Sequence, residues 1–96
     1  MLYRIIVSPR AQSEIIKAID FYALDSLDAP GNFVRQLQKV YETLTLNPFF
    51  RLQYKSVRSL KIKKFPYSIY YTIDEDINSI RVLSCFHNKR NPKKRP

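Results

Sequence analysis

The chain has 96 residues, 45% of them apolar and 14% aromatic, with one glycine, one cysteine and a formal net charge of +9. That length and apolar content suit one domain around one modest core. The composition excludes a disulfide within the chain, a cysteine-based zinc site and a glycine-rich phosphate loop.

Leu2 to Val7 is a short apolar, β-branched run ended by Ser8-Pro9, and it reads as a strand. It is too short and too quickly interrupted for a signal peptide, and no stretch approaches a membrane span, so a cytoplasmic protein with no membrane partner is expected. Ser8 is placed to cap a helix with Pro9 at its first position. Ala11, Ile15, Ala18, Ile19 and Tyr22 then form one apolar stripe, which predicts a helix from about Pro9 to Asp25. The segment 26–31 is a break, with Asp28 or Ala29 as the cap of a second helix and Pro30 in its first turn. Phe33, Leu37, Val40, Tyr41 and Leu44 repeat at helical spacing until Asn47-Pro48 stops the helix. Two amphipathic helices on a short connection predict an antiparallel hairpin.

After Pro48 the period changes. Phe49 to Lys55 reads as a loop. Ser59 to Lys63 alternates, with Leu60 and Ile62 inward and Lys61 and Lys63 together on the outer side of a strand. Phe65-Pro66 bends the chain. Tyr67 to Ile73 is the next strand, with Ile69, Tyr71 and Ile73 on one face and Ser68, Tyr70 and Thr72 on the other. Asp74-Glu75-Asp76 is a polar turn with no reason to hold a metal. Ile80 to His87 is the last strand, with Ile80, Val82, Ser84 and Phe86 on one face and Arg81, Leu83, Cys85 and His87 on the other. The order β-α-α-β-β-β gives an α+β fold: an antiparallel sheet, with the first strand added to it, and a two-helix hairpin packed on one face. Residues 1–96 form one domain, with a basic tail from about residue 88 that is expected to be mobile.

Residues 1–50 hold five Lys/Arg against five Asp/Glu, whereas residues 51–96 hold twelve against three. A basic face of that density suits a polyanion or a strongly acidic partner. Within it, Arg51, Lys55, Arg58, Lys61, Lys63 and Lys64 are six cations in fourteen residues. They could hold phosphates or charge developing on a phosphoryl group, or equally serve as a solvated face that keeps a sheet edge from aggregating. Arg81, His87, Lys89 and Arg90 form a second group, in which His87, the only histidine, could protonate a leaving 5′-hydroxyl or be merely structural. Tyr67, Tyr70 and Tyr71 beside Phe65 could stack bases. Tyr71 reads as core and Tyr70 as the exposed ring. Cys85 lies in an apolar stretch and reads as a small buried residue rather than a nucleophile.

Taken together, Ser8-Pro9-Arg10-Ala11, the Phe33/Leu37 and Leu44/Pro48 spacings, Arg58 ahead of Phe65-Pro66-Tyr67-x-Ile69-x-Tyr71, and Val82-Leu83-x2-Phe86-His87-x2-Arg90-Asn91-Pro92 resemble the RelE/ParE superfamily of toxins from bacterial type II toxin–antitoxin systems. The resemblance spans nearly the whole chain, and the ParE-like branch, often described as plasmid-stabilisation proteins, fits best. It implies a toxin neutralised by a cognate antitoxin that folds on binding, and a chain of charge +9 suits an acidic one. It implies no cofactor and no metal. The ParE-like branch implies growth arrest by inhibition of DNA gyrase, without enzymatic activity. The RelE-like branch implies a metal-independent, ribosome-dependent mRNA endonuclease, in which Lys61, Lys63, His87 and Arg90 would be catalytic. Two positions depart from that nuclease pattern: its strand arginine falls at Ser68, and no tyrosine follows Asn88. Under either branch Arg58, Lys61, Lys63, Lys64, Arg81, Lys89 and Arg90 are the residues expected to bind the target. A basic RNA-binding module without toxicity is the third reading.

Overall fold

The computed structural model describes residues 2–90 and 92–96; Asn91, which belongs to the C-terminal motif, lies outside the described residues. The elements are β1 (Arg4–Val7), α1 (Pro9–Ala23), α2 (Ala29–Leu46), β2 (Leu52–Tyr54), β3 (Val57–Lys61), β4 (Tyr67–Asp74) and β5 (Ser79–His87), followed by a 3-10 turn at Pro92–Lys94.

Helix α1 starts where the sequence predicts. Ser8 Oγ accepts from the Ala11 amide at 3.1 Å and donates to the Leu83 carbonyl at 3.1 Å, so one hydroxyl caps the helix and ties it to β5. At α2 the cap is shifted. Asp28 makes no side-chain capping bond, and Ser26 Oγ accepts from the Ala29 amide at 3.0 Å instead. Asn47 is extended and ends the helix, and its Oδ1 accepts from the Phe49 amide at 3.2 Å.

The five strands form one sheet in the order β1-β5-β4-β3-β2. Strands β2 to β5 run as an antiparallel meander, but β1 pairs in parallel with β5, so the sheet is mixed rather than wholly antiparallel. Strand β1 reaches β5 through the helical hairpin and the whole meander, and a parallel neighbour requires a long crossover of this kind. Phe33, Leu37, Val40 and Leu44 of α2, with Ala11 and Ala18 of α1, pack onto Ile62, Ile69, Tyr71, Ile80, Val82 and Cys85 to make the main core. Tyr71 is fully buried, and its hydroxyl donates to the Pro48 carbonyl at 2.7 Å, which fixes the exit of α2 against β4. No helix among the described residues is long and apolar enough to cross a membrane.

Four local expectations are corrected. Residues 52–54 are not loop but the edge strand β2, too short for alternation to register. Strand β3 ends at Lys61, so Lys63 lies in the β3–β4 turn and does not share a strand face with Lys61. Tyr70 is not exposed: with Val57 and Phe86 it forms a second, smaller cluster on the sheet face away from the helices, flanked by Tyr54 and Leu83. Finally, a bulge breaks the alternation of β5. Tyr71 pairs with Val82 but Tyr70 pairs with Ser84, leaving Leu83 as the extra residue. The inward phase therefore switches from Ile80 and Val82 to Cys85, and Phe86 turns to the far face.

Candidate functional site

The β5 bulge and the cap of α1 build a concave polar feature of the surface. Helix α1 crosses β5 so that Glu14 accepts from Ser84 Oγ at 2.6 Å and from the Cys85 amide at 3.2 Å. Arg10 stands one turn earlier with its Nε 3.5 Å from Glu14 Oε2. Beyond Glu14, the helix and the end of β5 diverge around a notch of about 460 Å³, with Arg10, Lys17 and Arg90 at its wall and Tyr67 and Cys85 at its floor. Phe21, 62% exposed, stands at the rim. The C-terminal segment returns to this place, since Arg10 Nη2 donates to the Lys94 carbonyl at 2.7 Å.

An aromatic ladder supports the notch from inside. The His87 ring stands edge-on to Tyr67 at 5.0 Å, Tyr67 lies 5.6 Å from Phe33, and Phe33 lies 5.3 Å from Phe65 and 5.5 Å from Tyr22. Burial raises the Tyr67 phenol above its usual range, so it stays protonated at neutral pH. His87 Nδ1 accepts from the Lys89 amide at 3.1 Å, which leaves Nε2 to carry the proton of the neutral ring.

The residues predicted for the site separate into five places. His87, Lys89 and Arg90 lie at the exit of β5, and of these only Arg90 lines the notch. Lys61 lies at the end of β3, where its Nζ donates to the Phe65 carbonyl at 3.2 Å, and with Lys63 it borders a groove of about 280 Å³ between α2 and β3. Lys64 lies on the outer flank of α2 beside Asn32 and Arg35. Arg81 lies on the exposed face of β5, 3.8 Å from Asp74. Arg58 is half-buried, bonded to the Phe50 carbonyl and 5.4 Å from the Phe49 ring, so it holds the 48–50 loop.

Lys61 and His87 are not brought together. Lys61 pairs with Ser68, whereas Tyr67 pairs with His87, so the two residues sit two strands apart, about 10 Å by strand spacing. Alternation from Val57 also puts Lys61 on the sheet face opposite to Tyr67. Ser68 is buried, and its hydroxyl donates to Asn88 Oδ1 at 2.8 Å. Among the described residues no group of three or more His, Cys, Asp or Glu is placed to hold a metal ion. Sequence reasoning missed Arg10 and Lys17. Arg10, Glu14, Lys17 and Phe21 repeat at helical spacing one residue behind the apolar stripe of α1, which is the signal that marks a flank facing a neighbour.

Cys85 is 1% exposed, and burial first, then the Glu14 carboxylate, pushes its thiol up to about 12. Burial likewise pushes the Tyr41 phenol up to about 12. Unfolding returns these groups to 9.0 and 10.0, so above about pH 9 the unfolded chain holds fewer protons than the folded one and stability falls as pH rises. The expected result is a denaturant midpoint that declines steadily between pH 9 and 12, with a Cys85→Ala variant delaying the onset by about one unit. A flat midpoint over that window would mean that neither group is buried in solution.

The comparisons with known proteins agree with this architecture. Residues 5–92 match the model of the ParE toxin of type II toxin–antitoxin systems. No curated protein sequence matches the chain significantly. Among solved structures, a chain of the chromosomal ParDE toxin–antitoxin system from P. aeruginosa superimposes with a TM-score of 0.64 at 16% identity, covering 90% of this chain and 96% of that one. The YoeB dimer from Staphylococcus aureus gives a TM-score of 0.59 at 16% identity, covering 88% and 95%. At such identities the superpositions speak for the fold, while the family match over nearly the whole length speaks for kinship: the chain belongs to the ParE family of toxins of type II toxin–antitoxin systems.

Proposed function

We propose that this toxin arrests growth by binding DNA gyrase, and that it acts as an inhibitor rather than as a nuclease. The observation that carries this reading is the separation of Lys61 from His87. The RelE-like cleavage pattern needs its strand lysines and its C-terminal acid within reach of one phosphate. These two residues stand on opposite faces of the sheet, two strands apart. Ser68, where the nuclease pattern has an arginine, supplies no cation and is already bonded to Asn88. The ParE family match supports the same branch.

The antitoxin fits the groove between α2 and β3. Its floor of Val40, Phe50 and Leu60 is apolar, and Lys39 and Lys63 stand at the rim. An acidic, amphipathic segment would cover both kinds of surface, with the lysines steering its approach.

Induced expression in bacteria, with plasmid supercoiling and primer extension on several mRNAs read together, tests the reading. The expected outcome is growth arrest relieved by the antitoxin, relaxed or broken DNA, intact mRNA, and arrest that persists in His87→Ala. Cuts within translated codons, with supercoiling unaffected and with arrest abolished by His87→Ala, would replace the gyrase reading with the nuclease one.

A further inference from the structure

We infer that the notch between α1 and the exit of β5 is a phosphate site through which the toxin holds the backbone of a nucleic acid. The inference deepens the gyrase reading and rests on it for the source of the phosphates, duplex DNA held by the enzyme.

The notch collects charge from distant parts of the chain. Arg10 and Lys17 come from α1 and Arg90 from the exit of β5. The opposing charge is Glu14, but its carboxylate is turned inward and accepts from Ser84 Oγ, from the Cys85 amide and from Arg10. Its side chain is only 14% exposed. Arg10 is likewise committed, to Glu14 and to the Lys94 carbonyl. Among the described residues neither the Lys17 nor the Arg90 side chain has a carboxylate partner. Two cations therefore face a concave space of about 460 Å³ without a counter-charge of their own. A phosphodiester with its sugar fits that space, the Tyr67 hydroxyl at the floor remains protonated to donate, and Phe21 offers an exposed ring at the rim.

The distribution of charge around the notch favours a polymer over a single anion. At the end of the sheet where β3 and β5 finish, Lys63 and Lys64 occupy the β3–β4 turn and Lys89 follows β5. The acids Asp74, Glu75 and Asp76 fall at the opposite end, around the β4–β5 turn. The fold thus concentrates positive charge at one end, whereas at the other Arg81 and Lys55 lie beside the acids and offset them. Such a charge distribution orients the basic end toward a linear polyanion during approach.

The test is fluorescence anisotropy of the purified full chain, without gyrase, on a labelled DNA duplex of about 20 base pairs and on RNA of equal length, over about 50 to 200 mM salt. Lys17→Ala with Arg90→Ala is expected to weaken binding about tenfold and to lower the salt slope by about 2. Arg4→Ala with Arg35→Ala, which removes the same charge away from the notch, is expected to change affinity by less than about twofold. Circular dichroism checks that both variants fold. Tighter binding to DNA supports the site and its source. Tighter binding to RNA supports the site and reassigns the source. No salt-dependent binding to either, or equal losses in the two double variants, overturns the inference. The gyrase reading fails separately, if the chain binds DNA yet leaves supercoiling untouched.

Discussion

Phe33→Ala is expected to remove about 3–5 kcal/mol of folding free energy. Phe33 is fully buried at the junction of the helical hairpin and the sheet, and its ring meets those of Tyr22, Phe65 and Tyr67 within 5.6 Å. Truncation removes the transfer energy of the ring and leaves a cavity between three aromatic neighbours that cannot collapse without moving a helix. A domain of this size holds only about 5–15 kcal/mol in total, so the loss takes a large part of the margin. Thermal denaturation should show a midpoint lowered by at least about 12 °C. Phe33→Leu, which keeps most of the volume, should recover more than half of that loss. A midpoint lowered by less than about 4 °C would mean that the ring cluster does not hold the hairpin on the sheet. The same rings support Tyr67 and the β3–β4 turn, so Phe33→Ala should also loosen the floor of the notch.

The second large effect belongs to Glu14→Ala, expected to cost about 2–3 kcal/mol. One carboxylate oxygen accepts both from Ser84 Oγ and from the Cys85 amide, immediately after the β5 bulge. Ser84 is fully buried and Cys85 is 1% exposed, so alanine leaves a hydroxyl and an amide without an acceptor where water has little access. Glu14→Gln keeps a carbonyl oxygen at this position and should cost about half as much. Chemical denaturation measures both variants, and hydrogen exchange at the Cys85 amide gives a local readout that should accelerate in the alanine variant. An alanine variant as stable as the parent, with exchange unchanged, would show that the bulge holds its shape without α1.

Much of the fold was legible because it is written in periods. The stripes Ala11–Tyr22 and Phe33–Leu44 each specify a helix and its buried face, and Ser8-Pro9 and Asn47-Pro48 mark ends that the structure keeps. Strand β4 was legible for the same reason, with Ile69 and Tyr71 buried against the helices. Strand β2 was not, since three residues carry too little alternation to separate a strand from a loop. Nor was the face of Phe86 or Cys85. A bulge is a property of a pair of strands, and nothing in β5 alone tells that Leu83 is the extra residue opposite Tyr70 and Tyr71. Tyr70 was read as exposed because alternation puts it away from the helices. The far face carries its own small cluster, and Val57 and Phe86 cover the ring.

The candidate site divides along the same line. The basic character of the second half, the lone histidine and the membership of the toxin superfamily all follow from residue types and short-range order, which the sequence alone determined. Which cations share a surface was decided only by the tertiary structure. Charge adds through space, and the sheet register sends Lys61 to one face and His87 to the other while the crossing of α1 over β5 brings Arg10 and Lys17 to Arg90. Arg58, close to Lys61 in sequence, points inward to hold a loop, whereas Lys17, more than seventy positions from Arg90, stands across the notch from it. Periodicity acts within a single element and can be read from that element. Convergence of charge depends on which elements touch, and that is settled by packing of the two helices on the sheet.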